Sequence, residues 1–310
     1  MSQALGGVTR RRALRLAGGV LAAACLPSSG VARDTMRTRR VPRTAQAIPV
    51  VGMGTWITFN VGRHAALRND RLKVLRTFFD LGGGMIDSSP MYGSSEEVVG
   101  YCLSRLPPQP SLVAATKVWT RTRALGIRQM RDSERKWGID RFDLMQVHNL
   151  VDWRTHLDTL LEWKAAGRVR YIGVTTSHGM RHDELAAIMR AQAIDFVQFT
   201  YNVMDREAER RLLPLAADSG IGVIVNRPFQ GGRLFDRIAA KGKLPDFAGE
   251  IGCDTWASFF LKFVISHPAV TCAIPATSRV DHMRQNMLAG YGELPDAALR
   301  DMMAQYAASV

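Results

Sequence analysis

The stretch MIDSSPMYGSSE occupies residues 85–96. It begins as a buried strand and stops on a carboxylate, Asp87, before a loop of serines, a glycine and one tyrosine, Tyr92. A carboxylate beside a buried segment is costly unless something pairs with it. Local amides can do this in an Asx-turn, and so can a cation brought in by another segment. The rest of the chain decides between them. Short apolar runs of the same kind recur at residues 50–55, 112–117, 142–148, 171–175, 196–199, 222–225 and 272–274, eight in all with 85–87. Amphipathic stretches at 70–81, 155–166 and 205–219 separate them, and Gly82, Gly167 and Gly220 stand where helices end. Apolar strands alternating with helices predict a parallel sheet covered by helices. Eight such units in about 260 residues predict a single-domain (β/α)8 TIM barrel over residues 45–310, with a short N-terminal segment at the barrel bottom. A doubly wound sheet would want a Gly-x-Gly-x-x-Gly turn after its first strand, and no such turn occurs there.

The 310 residues are 46% hydrophobic, ample for a full core. The net charge of +13 suggests nucleic acid until it is divided. Residues 1–44 hold nine arginines and one acid, Asp34, so +8 of it sits there and +5 remains for the rest. A mildly basic, solvated surface is the reading for residues 45–310, without nucleic-acid binding. The N-terminus reads as a targeting segment. Arg10, Arg11 and Arg12 precede an uncharged stretch, residues 16–26, too short to span a bilayer as a helix. Gly30-Val31-Ala32 supplies small residues for a signal peptidase. Residues 1–32 resemble a twin-arginine export signal, with Ala13 where that pattern usually has Phe. The expectation is a periplasmic or secreted protein that uses the twin-arginine machinery and has no membrane span in its mature form. Residues 22–25, ending in Cys25, suggest lipid anchoring as a lesser alternative. Residues 33–44 read as a basic linker. Cys102, Cys253 and Cys272 are widely spaced, which suggests neither a disulfide framework nor a zinc site.

In a barrel of this type, chemistry gathers where strands end at the C-terminal face. The second run ends on Asp87, the third on Lys117 and the fourth on His148, and Tyr92 follows the second. An unperturbed tyrosine gives up its proton near pH 10, so it is a poor acid at neutrality. An adjacent ammonium lowers that value, and a buried ammonium needs a counter-charge. Asp87 is expected to hold Lys117, Lys117 to tune Tyr92, and His148 to orient a carbonyl oxygen. Such a site protonates an oxygen as hydride reaches the carbon, and the hydride must come from a cofactor.

The motifs that carry these residues resemble the aldo-keto reductase family. GMGTW (52–56), GGGMIDSSPMYGSSEEVVG (82–100), TKV (116–118), DLMQVH (143–148), GRVRYIGVT (167–175) and IPATS (274–278) are similar to its motifs across residues 45–310. The resemblance implies NADPH-dependent carbonyl reduction and a catalytic tetrad of Asp87, Tyr92, Lys117 and His148. It also places Thr55, Asp87, Thr175 and Gln198 beside the nicotinamide. Pro228, Phe229, Gly231, Gly232 and Leu234 fall in the segment that folds over the pyrophosphate. Thr277, Arg279, Gln285 and Asn286 fall at the adenosine end. Three departures stand out. Thr176 replaces an amide, Asn226 stands where a ring often stacks on the nicotinamide, and Ala276 and His282 replace a Lys and an Arg that flank the 2′-phosphate in some members. NADP(H) is expected over NAD(H), with Arg279 reaching the phosphate. Trp56, Trp119, His148 and Asn149 are expected to line the pocket for a small carbonyl substrate. A non-catalytic NADP(H)-binding sensor or interaction module on the same scaffold is the alternative. A hydrolase is disfavoured, because no Gly-x-Ser-x-Gly elbow or metal-spaced cluster occurs and Asp87 lacks an acidic partner.

Overall fold

A computed structural model describes residues 35–240 and 242–310. All eight apolar runs are strands of one parallel sheet. In chain order, after a hairpin of β1 (Thr38–Arg40) and β2 (Ala47–Pro49), they are β3 (Met53–Gly54), β4 (Met85–Asp87), β5 (Val113–Val118), β6 (Leu144–Val147), β7 (Tyr171–Thr175), β8 (Phe196–Thr200), β9 (Gly222–Asn226) and β10 (Cys272–Ala273). Each strand pairs with its sequence neighbour, from β3 to β10. Bridges Val51–Ala273 and Gly54–Ala276 join the last strand to the first and close the barrel. Helices lie between successive strands, as the predicted (β/α)8 fold requires.

The period-two alternation of the strands separates two cores. Ile86, Ala114, Met145, Ile172, Val174, Val197 and Val223 pack outward in the helix-facing cluster. Met85, Ala115, Leu144, Tyr171, Phe196, Ile224 and Cys272 form a second cluster with Val41 and Ile48 of the hairpin. The hairpin thus plugs the barrel bottom. Phe196 fills the interior there, and bare glycines make room for it. A Cβ on Gly173 would come 2.6 Å from the Phe196 carbonyl oxygen, and one on Gly222 would come 2.6 Å from its ring. The inward parity then continues upward. Two residues beyond Met85, Ala115, Leu144 and Phe196 stand Asp87, Lys117, Gln146 and Gln198.

The segment read as a basic linker is structured from Thr38. Val41 is buried, and Arg39 donates to the carbonyls of Ile265 and His267 at 3.1 and 2.9 Å. These are at the C-terminus of the helix Trp256–Ile265, whose last carbonyls lack helical partners. A short polar run with two arginines hid this strand, because it has no apolar pattern of its own and its anchors are more than two hundred residues away. The helix expected at 70–81 runs Ala65–Asp80, and the one expected at 155–166 runs Trp153–Ala165. The stretch 205–219 is broken into a 3-10 turn, Glu207–Arg210, and a short helix, Leu212–Asp218. Gly82, Gly167 and Gly220 all take positive φ at helix ends. The export leader and the lipid-anchoring cysteine fall outside the described residues. Among the described residues, no helix is long and apolar enough to cross a membrane. Cys102, Cys253 and Cys272 are buried free thiols.

Candidate active site

The strand ends open into a cavity of about 1010 Å³. Asp87, Tyr92 and His148 line it, and Lys117 lies beneath, fully buried. The Lys117 ammonium is paired with one Asp87 carboxylate oxygen and donates to the Ser88 carbonyl at 2.8 Å. The other Asp87 oxygen accepts from Gln146 at 2.9 Å and Gln198 at 3.1 Å. Asp87 is therefore held by a cation from β5 and two amides from β6 and β8, not by an Asx-turn. Gln146 was missed in the sequence, although it sits two residues before His148 on the same strand face.

The Lys117 nitrogen lies 5.2 Å from the centroid of the Tyr92 ring, and the His148 ring meets that ring edge-on at 5.6 Å. Tyr92 is delivered by a tight 3-10 turn, Pro90–Tyr92, in which Ser89 accepts from the Met91 amide at 3.2 Å. The Ser89 hydroxyl also lies 2.8 Å from His148 Nδ1, which fixes the imidazole and leaves Nε2 without a protein partner among the described residues.

The electrostatics differ from the sequence reading in one respect. Burial raises the Tyr92 hydroxyl above its ordinary value, and the opposing pull of Lys117 does not overcome it. Lys117 is itself held above the ordinary lysine value. Burial works against its charge, but Asp87 and then Tyr92 outweigh burial. His148 lies well below the usual imidazole value, first through burial and then through the nearby Lys117. The imidazole is therefore neutral near pH 7, so it can donate a hydrogen bond but holds no extra proton to give. Of the four residues Asp87, Tyr92, Lys117 and His148, the one that both faces the cavity and keeps a proton on a neutral acid is Tyr92.

Residues 50–305 match the model of the aldo/keto reductase family. The chain belongs to that family. The methylglyoxal reductase YeaE of Escherichia coli is 28% identical over 267 residues, covering 84% of this chain and 92% of that protein. An NADH-specific methylglyoxal reductase of Escherichia coli is 29% identical over 225 residues, covering 61% and 66%. A crystal structure of an aldo-keto reductase from Klebsiella pneumoniae in complex with NADPH superimposes with a TM-score of 0.74 at 26% identity, covering 87% of this chain and 95% of that one. The protein is an NAD(P)H-dependent oxidoreductase acting on carbonyls and alcohols.

Most of the expected cofactor residues line the cavity: Thr55, Thr175, Gln198, Pro228, Phe229, Gly231, Gly232, Thr277, Gln285 and Asn286. Trp56 and Asn149 line it as well. Three expected residues do not. Leu234 is buried in the helix-facing core. Trp119 is 42% exposed outside the cavity, where its backbone pairs with the Gln129 amide. Arg279 forms a bidentate pair with Asp281 on the surface and is not among the lining residues. The family resemblance placed Leu234 and Arg279, and the position after the third strand placed Trp119; in the structure these side chains are outside the cavity lining.

The altered positions form a network. Asn226 accepts from Thr200 at 2.8 Å and donates to the Thr176 carbonyl at 2.9 Å and to Gln198 at 3.4 Å. The Thr176 hydroxyl is buried against the cavity with no partner. The Phe229 ring packs on Phe235 at 5.0 Å, and Trp256 stacks on Phe260 at 5.3 Å, giving the cavity an aromatic wall. Arg227, Met180, His178 and Trp256 are lining residues that the sequence reading did not single out.

Proposed function

We propose that the enzyme reduces an aldehyde or ketone to an alcohol, with Tyr92 as the proton donor and NADP(H) as the preferred cofactor. The observation that carries this reading is the ordered charge of the site: a buried Lys117–Asp87 pair under a protonated Tyr92, beside a neutral His148. The residues fit a nicotinamide cofactor. The unpartnered Thr176 hydroxyl, with Gln198 and Asn226 beside it, offers hydrogen bonds to a carboxamide. Gly231 and Gly232 present bare backbone to the cavity, and nothing lies within 4 Å of the space a Gly232 Cβ would take. When bound, the reduced nicotinamide supplies the hydride.

The chain's own residues do the rest. His148 Nε2–H binds the carbonyl oxygen, with Nδ1 accepting from Ser89, and holds that oxygen beside the Tyr92 hydroxyl. As negative charge develops on the oxygen it becomes more basic than a phenolate, and the Tyr92 proton moves to it. The tyrosinate left behind faces the Lys117 ammonium, which stabilises it at close range in a dry setting. Asp87 keeps that ammonium charged. The partly exposed Trp56 and Met180 at the cavity rim suit a small apolar carbonyl compound.

The NADP(H) preference rests on likeness to the NADPH-bound relative; Arg279 is committed to Asp281 and gives it no support. Export through the twin-arginine pathway is part of the same proposal. It rests on the sequence of residues 1–32 and is tested by cell fractionation of an Arg10→Lys/Arg11→Lys variant, which should stay in the cytoplasm.

The reaction is tested by following NADPH oxidation with an aromatic aldehyde in wild type and Tyr92→Phe. Loss of turnover by a factor of about 10²–10⁴, with NADPH binding retained, is the expected result. Equal turnover in both would refute the role of Tyr92. Cofactor binding without turnover in wild type would favour the sensor reading.

A further inference from the structure

Among the side chains that line the cavity, the one carboxylate is Asp87 and the one lysine or arginine is Arg227. Asp87 is fully engaged by Lys117, Gln146 and Gln198. Arg227 is not. Among the described residues, no carboxylate lies within ion-pair distance of its guanidinium, and no protein oxygen accepts a hydrogen bond from it. What it faces is the Trp56 ring, 5.8 Å from the centroid across the cavity mouth. Asp205 acts on it only weakly, behind burial and the repulsion of Arg233. A half-buried arginine left without a counter-ion is costly to hold in place, because its charge is partly desolvated and nothing repays that loss.

The backbone aims it there. Arg227 precedes Pro228 and has φ +51°, in the left-handed region that residues with a Cβ enter rarely. Gln230, Gly231 and Gly232 follow with φ of +51°, +71° and +99°. A Cβ on Gly231 would lie 3.5 Å from Arg227 Nη2, so bare backbone sits beside the guanidinium. Arg233 and His178 stand close by. Both arginines depress the His178 imidazole, after burial, so the local potential is positive. A positive cleft with a planar fork of donors and no acid paired to it attracts anionic oxygens.

We infer that Arg227 is the receptor for an oxyanion group, a phosphate or a carboxylate, bound in the cavity mouth between the Trp56 ring and the backbone at Gly231 and Gly232. This rests on the proposed reaction and names the charge of its ligand. The oxyanion has two possible sources: a phosphate of the cofactor, or an acid group carried by the carbonyl substrate.

The test uses full-length wild type, Arg227→Gln and Arg227→Lys, each checked for folding by circular dichroism. Inorganic pyrophosphate and benzoate are titrated first, read by quenching of tryptophan fluorescence, since Trp56 lines the site. NADPH affinity is then measured in the same way. Finally, kcat/KM is compared for 4-carboxybenzaldehyde and benzaldehyde. Arg227→Gln should weaken at least one anion tenfold or more, and Arg227→Lys should restore part of it. If NADPH weakens tenfold and the aldehyde ratio holds, the oxyanion is the cofactor's. If the carboxy-aldehyde loses its advantage and NADPH affinity holds, it is the substrate's. Unchanged pyrophosphate, benzoate and NADPH binding together with an unchanged aldehyde ratio would overturn the inference. If wild type reduces no aldehyde yet loses pyrophosphate or benzoate binding on Arg227→Gln, the proposed reaction fails while the receptor stands.

Discussion

Asp87→Asn keeps the shape of the side chain and removes its charge. The consequence falls on Lys117, which is 0% exposed and whose one ion-pair partner among the described residues is Asp87. Two outcomes are open to the ammonium. It can stay charged and uncompensated, and breaking a buried pair in this way costs about 3–5 kcal/mol. Or it can lose its proton, and since an ordinary lysine holds its proton to about pH 10.4, forcing neutrality at pH 7 costs roughly 5 kcal/mol. Both routes give a loss of about 3–5 kcal/mol, a fall in melting temperature of roughly 8–15 °C for a domain of this size. The pH dependence supplies a second reading. In wild type the lysine's value is raised on folding, so its contribution is complete below the unfolded value and is lost only as pH rises through the folded one. In Asp87→Asn the folded value drops below the unfolded one. The unfolded chain then binds more protons, and stability climbs as pH rises from 7 toward 10. Urea unfolding of both proteins at pH 7, 8, 9 and 10 measures this directly. Asp87→Asn/Lys117→Met should recover most of the stability, a coupling of about 2 kcal/mol or more, and none of the activity. A single mutant that melts within about 2 °C of wild type, with the same pH slope, would refute the charge argument.

In the proposed reaction the rate depends on a protonated Tyr92, whose hydroxyl burial holds above its ordinary value. The pH profile of the reductive direction should be flat through neutrality and fall only in strong alkali; a fall already centred near pH 7–8 would contradict the assignment. Ser89→Ala removes the group at 2.8 Å from His148 Nδ1, so the imidazole loses its fixed orientation. It should lower kcat/KM roughly 10- to 100-fold with NADPH affinity intact, in line with a positioning role; an unchanged kcat/KM would refute it. Arg279→Ala should leave the NADPH/NADH ratio of kcat/KM unchanged, because the guanidinium is committed to Asp281; a fall of tenfold or more would show that the pair opens to a 2′-phosphate.

The fold and the convergence of Asp87, Tyr92, Lys117 and His148 were legible because both rest on short periods. Eight apolar runs with glycines after the helices between them are local signals, and a strand end names the residue that reaches the cavity. Gln146 was equally legible in principle, since it shares the parity of His148, but an amide in an apolar run carries no charge to draw notice. Arg227 was hidden for another reason. It lies one residue past a strand, and only the left-handed backbone turns its side chain into the mouth rather than to solvent. Leu234, Trp119 and Arg279 show the limit from the other side. A motif placed the first and third and a strand end the second, but the structure buries Leu234, pairs the Trp119 backbone with Gln129 and pairs Arg279 with Asp281. The strand Thr38–Arg40 depended on anchors more than two hundred residues away, which no local window contains.

The site's roles follow from how far its titrating groups are pushed apart. Burial moves tyrosine up and histidine down, so one environment makes Tyr92 retain its proton and His148 refuse a second one. Lys117 is the exception, because Asp87, itself held by amides from two further strands, and then Tyr92 outweigh burial on it. This arrangement permits catalysis without a strongly acidic tyrosine. In the proposed reaction the driving force for proton transfer is the basicity of the oxygen once hydride has arrived, and Lys117 acts on the product of the transfer, the tyrosinate, more than on the resting phenol. Lys117→Met should therefore depress the chemical step in both directions while leaving the resting Tyr92 protonated at neutral pH. A tyrosinate absorbance appearing near pH 7 in that variant would contradict this account.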